Sequence, residues 1–188
     1  MVASASAADR YHVDVPADGM DAEVLFRRYA RNVSALLYRL GVPAQDLHDL
    51  TQEVFLVAHR KGGYLPGPAQ PLTWLARIAF GIASDYRRVT RRRLQRMASA
   101  DEGLDAGYPA PQETKLAEDE SRSLVFRALQ ALDPERRIVF VLFEIEGESC
   151  ASIAAGLGIP KGTVFSRLRA AREEFRRAIE LHSPEQGK

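Results

Sequence analysis

Between residues 98 and 115 the apolar periodicity that organises the rest of this chain stops. Gly103, Gly107, Pro109 and Pro111 stand there among Asp101, Glu102, Asp105 and Glu113, with neither helical nor alternating apolar spacing. Such a stretch reads as a flexible acidic linker. The expected fold class is all-α, with two small helical domains: residues 21–97 before the linker and residues 116–183 after it. Residues 1–20 are small, polar and aperiodic, and read as a flexible N-terminal tail.

In the first domain Val24, Leu25, Tyr29, Val33, Leu36, Leu37 and Leu40 recur every three or four positions and end at Gly41 and Pro43, which predicts a core-facing helix over 21–40. A second helix, over 44–60, carries Leu47, Leu50, Val54 and Val57 on one stripe. A third, over 71–96, turns Leu72, Leu75, Ala79, Ile82, Tyr86 and Val89 inward before becoming almost purely arginine. The segment 61–71 between them is too rich in Gly and Pro to be helical. In the second domain a helix over 116–131 precedes Asp133 and Pro134, an N-cap and a first-turn proline for a helix reaching 146. Gly147 closes that helix, Ser149 caps a short one with Ile153, Ala154 and Leu157, and Gly158-Ile159-Pro160 turns the chain into a last helix from Lys161.

The formal net charge is only +1, from 26 basic and 25 acidic residues, yet it is the remainder of large local imbalances. Arg87, Arg88, Arg91, Arg92, Arg93 and Arg96 stand together without an acid, and Lys161, Arg167, Arg169, Arg172, Arg176 and Arg177 make the last helix basic. Two cationic lobes flanking an acidic middle suit a nucleic-acid partner. A single cysteine, Cys150, excludes an internal disulfide and a four-ligand zinc site, so neither metal nor cofactor is expected. No apolar run approaches the roughly 20 residues of a spanning helix, and no basic leader precedes an apolar block. The expectation is a cytoplasmic protein without membrane insertion. His12, His48, His59 and His182 are scattered, and no Gly-rich phosphate loop precedes Lys-Ser/Thr, which argues against an enzyme.

From Cys150 onward the spacing is that of a helix-turn-helix. Small Ala154 lies where two helices approach, Gly158 makes the turn four residues later, and Val164 pins the next helix to the first. Val164, Leu168, Ala171, Phe175 and Ile179 share the buried face of the last helix. The opposite surface starts with Thr163, Ser166, Arg169 and Ala170, flanked by Phe165 and Arg167, and such an N-terminal segment is what enters a major groove. Glu173 and Glu174 would repel phosphates, which confines groove contact to 161–172. An αα-hairpin with a solvated basic face is the plainer alternative.

Asp49-Leu50-Thr51-Gln52-Glu53-Val54-Phe55 resembles the D-L-x-Q-E-x-F signature of region 2.2 in bacterial RNA polymerase sigma factors. Thr73-Trp74-Leu75-Ala76-Arg77-Ile78-Ala79, followed by Asp85 and the arginines, is similar to regions 2.3 and 2.4. Leu132-Asp133-Pro134-Glu135-Arg136-Arg137 and Gly162-Thr163-Val164-Phe165-Ser166-Arg167-Leu168 resemble region 4. With nothing recognisable as regions 1.1 or 3, the chain resembles the extracytoplasmic-function (ECF) class. The resemblance implies a non-enzymatic subunit that binds core RNA polymerase, through the β′ clamp coiled coil and the β subunit. It also implies recognition of minus-10 and minus-35 elements of promoter DNA, and an anti-sigma factor as inhibitor. The competing reading is a stand-alone helix-turn-helix regulator whose first domain senses or dimerises.

Asp46, Asp49 and Glu53 fall at i, i+3 and i+7 on one strip of the second helix, which suits a basic protein surface. The resemblance assigns that partner as the clamp coiled coil, with Asp49, Gln52 and Glu53 as matched contacts. It places the minus-10 element on the third helix and the preceding loop, with Tyr64, Arg77, Arg87, Arg88, Arg91 and Arg92 as candidates. Tyr64 would stack on an unpaired base; Trp74 would either pack in the core or touch the strand. Lys161, Thr163, Phe165, Ser166, Arg167 and Arg169 are the minus-35 candidates.

The chain departs from the family pattern in three places. Phe80-Gly81 follows Ile78-Ala79 where an Asn is common, so Gly81 is expected to bend the helix or admit a close backbone approach. Cys150, Ala151 and Ser152 replace an aromatic and paired glutamates; Cys150 packs as a small apolar residue or serves as a redox-responsive thiol. Phe165 and Ala170 replace basic residues, which implies an unusual minus-35 preference. Phe165 either reaches a thymine methyl or leans onto Ile159 or the neighbouring helix.

Overall fold

A computed structural model of the chain describes residues 19–98 and 118–182. The expected tail up to residue 18 and the linker segment 99–117 lie outside the described residues. Seven α-helices occur among those described: α1 (Ala22–Arg39), α2 (Leu47–Arg60), α3 (Pro71–Ala98), α4 (Glu118–Ala131), α5 (Pro134–Phe140), α6 (Cys150–Leu157) and α7 (Lys161–His182). None of them is long and apolar enough to cross a membrane.

Local chemistry sets most of the boundaries. Asp21 starts α1 by accepting the Val24 N–H at 2.8 Å, and Ser149 starts α6 by accepting the Ser152 N–H at 3.1 Å. Asp133 caps α5 with Pro134 in its first turn, and Gly158 ends α6 in the left-handed conformation at φ 68°. One boundary differs from the sequence expectation. The helix predicted to reach 146 keeps its α ladder only to Phe140, after which Val141–Ile145 form a π-helical turn. There the Glu146 N–H reaches the Val141 carbonyl at 3.0 Å, and the wider turn places Glu146 against α1.

The first three helices bury Leu25, Val33, Leu36, Leu37 and Leu40 of α1 against Val54 and Ala58 of α2 and Leu75, Ala76, Ala79 and Ala83 of α3. Each large side chain removed from water contributes about 1.5–3 kcal/mol. The alanines let α3 approach its neighbours closely, and they displace the predicted stripe. Ile82 and Tyr86 are half-buried, and Val89 is 59% exposed because α3 has by then run past the bundle. On α2 the same shift brings Thr51, Phe55 and Ala58 inside and leaves Leu47, Leu50 and Val57 half-buried. Gly81 has open space around it rather than a close neighbour.

The helix pairs α4–α7 and α5–α7 build the second unit around Leu129, Ile138, Val139, Leu142, Ile153, Val164, Leu168 and Ala171. Spacing alone did not reveal that the two units are docked. The helix α3 lies on α6, and α1 touches α4. Tyr38 stacks on Phe126 with ring centres 4.5 Å apart, and Glu146 takes Arg39 at 2.7 Å and Asn32 at 3.1 Å.

Candidate nucleic-acid interface

Three surfaces carry the candidate residues. On α2, Asp49, Gln52 and Glu53 are exposed on one face. His48 and Gln52, one turn apart, bond at 2.9 Å. Asp46 does not continue this strip as expected. It ends a 3-10 turn, Ala44–Asp46, ahead of α2, and its carboxylate accepts the Tyr86 hydroxyl at 2.6 Å, which ties α2 to α3. The sequence reading missed the apolar neighbours of the strip. Leu56, one turn beyond Gln52 and Glu53, is exposed, and Phe26 of α1 is exposed with its ring set edge-on to Phe55 at 5.1 Å. Leu56 was detectable, since it stands three residues after Glu53 and off the apolar stripe.

The second surface is the cationic half of α3. Arg88, Arg91 and Arg92 are exposed and, with Arg87 and Gln95, line an open groove. Arg88 is partly neutralised by Asp85 at 2.9 Å. Arg87 also has a structural role that the sequence did not show: its guanidinium, half-buried, donates to the Leu40 carbonyl at 2.7 Å and to Ser84 Oγ at 3.0 Å. It satisfies an orphan carbonyl at the end of α1. Tyr64 is corrected. Its ring is 4% exposed, held edge-on to Trp74 at 5.9 Å, and its hydroxyl donates to the Ala69 carbonyl at 2.6 Å. Backbone bonds between Met20 and Tyr64, 2.8 Å in both directions, fix that loop. Trp74 is half-buried against the core, in keeping with its packing role. Arg77 is exposed beside Gly158.

The third surface is the start of α7. Lys161, Phe165, Ser166 and Arg169 are exposed, and Thr163 and Arg167 are half-buried. Val164, Leu168 and Ala171 face inward, as the spacing predicted. Phe165 is 53% exposed with Lys161 Nζ 5.9 Å from its ring centre. Arg167 is paired with Glu135 of α5, whereas no described carboxylate bonds Arg169. Further along, Glu173 pairs with Arg177 and Glu174 with Arg136. Cys150 begins α6, half-buried and packed on the core.

Electrostatics mark the seam between the units. Burial is the main cause raising the Glu148 carboxyl above its ordinary 4.5; the Ser152 hydrogen bond opposes this and the Glu146 charge adds to it. Burial likewise raises the Tyr29 and Tyr64 hydroxyls above 10.0, and the Glu148 charge contributes to both. A carboxyl with a raised folded-state pKa holds its proton more tightly folded than unfolded. Its stabilising share is complete below 4.5 and is lost as pH rises through the raised value. Glu148→Gln keeps the neutral form at every pH. It is therefore expected to unfold at a higher temperature than the wild type at neutral pH, with the difference vanishing in acid. Identical melting curves at neutral pH would refute this account.

Known proteins resemble the chain over both helical units. The profile of Sigma-70 region 2 matches residues 25–93, and that of Sigma-70, region 4 matches residues 122–175. The chain is 35% identical over 167 residues to the ECF RNA polymerase sigma factor SigE of Mycolicibacterium smegmatis, covering 86% of this chain and 62% of that protein. It thus spans less than two thirds of that relative's length. It is 34% identical over 157 residues to the ECF RNA polymerase sigma-E factor of Escherichia coli, covering 80% of this chain and 82% of that one. Among solved structures, the sigma factor RpoE of Bartonella quintana, in complex with the anti-sigma factor NepR, superposes with a TM-score of 0.58 at 21% identity, over 84% of this chain and 95% of that one. This last likeness shows the fold. The ordered pair of regions, borne on two helical units and accompanied by 34% identity over most of a curated relative, makes this chain a member of the sigma-70 family of RNA polymerase sigma factors, in its ECF class.

Proposed function

We propose that this chain is a promoter-specificity subunit, which binds core RNA polymerase and directs it to promoters through minus-10 and minus-35 elements. The observation that carries this reading is the coexistence of an exposed acidic face on α2 with cationic faces on α3 and α7. A carboxylate surface repels DNA and suits a basic protein helix, while the arginine surfaces attract phosphate. Residues 21–97 form the region 2 domain and 116–183 the region 4 domain, joined by 98–115. Asp49, Gln52 and Glu53 contact the β′ clamp coiled coil, and the β subunit completes the polymerase interface. Arg88, Arg91, Arg92 and Arg77 serve the minus-10 element. Lys161, Thr163, Phe165, Ser166, Arg167 and Arg169 serve the minus-35 element. The chain works in the cytoplasm, contributes specificity rather than catalysis, and is held by an anti-sigma factor.

Run-off transcription with purified core enzyme on genomic fragments tests the reading. Promoter-specific transcripts are expected only when the chain is added; operator binding without any effect on core enzyme would favour a stand-alone regulator. Within α7, Arg169→Ala is expected to weaken binding of a minus-35 duplex roughly tenfold and to flatten its salt dependence. Arg177→Ala removes a guanidinium already engaged by Glu173 and should cost less than about twofold. Equal losses in a titration by fluorescence anisotropy would show that the groove-facing segment is misplaced.

A further inference from the structure

The start of α7 carries three exposed side chains in a row. Lys161, Phe165 and Arg169 fall at i, i+4 and i+8, about 40° apart around the helix, and all three are exposed. A cation, an aromatic ring and a cation thus follow one another along one ridge, while Val164, Leu168 and Ala171 turn into the core. The Lys161 ammonium stands 5.9 Å from the ring centre and steadies the ring from one side. Other phenylalanines of this unit are engaged within the chain: Phe175 stacks on Phe140 with ring centres 4.8 Å apart, and Phe143 lies under the Arg172 guanidinium. Phe165 is more than half exposed. A ridge that served phosphates alone would gain nothing from a ring at its middle, since a phenyl group offers no hydrogen bond and no charge.

We infer that Phe165 is a methyl reader: with α7 in the major groove, its ring packs on the C5-methyl group of one pyrimidine in the minus-35 element. That methyl is the apolar group that base pairs present in the major groove; the other groups there are donors and acceptors, which a phenyl ring cannot satisfy. Thymine and 5-methylcytosine carry the methyl on the same ring carbon. Phe165 has no polar atom with which to tell the carbonyl acceptor of the first from the amino donor of the second. The contact therefore reaches beyond base sequence, because methylation of a cytosine at this position is read as a gain in affinity. Lys161 and Arg169, one turn to either side, take phosphates and hold the ring in the groove without adding base selectivity.

The inference rests on the promoter-specificity reading, and its test keeps the two apart. Minus-35 duplexes are selected from a random pool with the full chain, and each thymine of the winner is replaced in turn by deoxyuridine, which lacks only the methyl. At one position the affinity by fluorescence anisotropy is expected to fall about fourfold, the value of one buried methyl. At that position 5-methylcytosine is expected to bind about fourfold better than cytosine. Phe165→Ala should bring both ratios to about one. It replaces an exposed ring by the best helix former, and unchanged helical circular dichroism verifies the fold. Arg169→Ala should weaken methylated and unmethylated duplexes alike and leave both ratios in place. A winner in which no methyl matters, or ratios that survive Phe165→Ala, would overturn the inference. So would a gain confined to thymine, because the ring would then follow the T·A pair and not the methyl. A chain that selects no duplex would overturn the specificity reading and the inference with it; one that selects duplexes and ignores their methyls overturns the inference alone.

Discussion

Replacing Asp49 and Glu53 together by alanine is expected to lower core-dependent run-off transcription by at least about tenfold while leaving the fold intact. Both carboxylates are exposed on α2, and neither makes an ion pair or side-chain hydrogen bond with a described residue. Their removal therefore breaks no contact within the chain. The only folded-state loss is the favourable position of Asp49 in the first turn of α2, worth about 0.3–1 kcal/mol. At an interface the balance is different. Truncating one side of a desolvated charge pair costs about 2–5 kcal/mol, because the partner cation is left buried alone. One such pair suffices for a tenfold loss. Asp46→Ala makes the informative contrast: it removes the acceptor of the Tyr86 hydroxyl, so it should lower the unfolding temperature more and transcription less. If the Asp49/Glu53 double variant directs as many transcripts as the wild type, the acidic face is not the polymerase contact.

The helices were legible because their signals are local. Asp21, Asp133 and Ser149 act on N–H groups two or three residues away, and the apolar spacing of α1 and α7 reports a face within one element. The arginines were not legible in the same way. Arg87 and Arg91 stand on one helix with the same chemistry, yet Arg87 ends on the Leu40 carbonyl, 47 residues away. Nothing local marks that difference. Tyr64 sits in a Gly/Pro-rich loop that reads as open, but pairing with Met20 closes it. The departure at Cys150-Ala151-Ser152 was visible as a departure only. Its physical meaning needs Thr73, 79 residues earlier, because a glutamate in place of Ser152 would bury a carboxylate against that hydroxyl. Phe165, by contrast, leaves a ring 53% exposed on the surface of α7, which spacing alone did not show.

The pair Arg136 and Arg137 gives the largest expected stability difference between adjacent, chemically identical side chains. Arg137 is 5% exposed. Its Nη2 donates to the Gln130 carbonyl at 2.7 Å and the Leu132 carbonyl at 3.0 Å, and its Nη1 bonds the Gln130 side chain. One guanidinium thus collects the orphan acceptors at the end of α4, and through Gln130 it reaches the Arg39 carbonyl of the other unit. Arg137→Ala strands those carbonyls and opens a void among buried neighbours, for which about 3 kcal/mol is expected. In a chain of this size that lowers the unfolding midpoint by roughly 6–12 °C. Arg136 is 41% exposed and pairs with Glu174 at the surface, a kind of contact worth about 0–1 kcal/mol. Arg136→Ala should therefore melt within about 4 °C of the wild type. Arg137→Met tests the cause, since it refills the volume without restoring any donor. It should recover only the packing part of the loss. Thermal unfolding of the full chain followed by circular dichroism decides the matter: equal midpoints for Arg136→Ala and Arg137→Ala would mean that the buried donors do not hold the end of α4 in place.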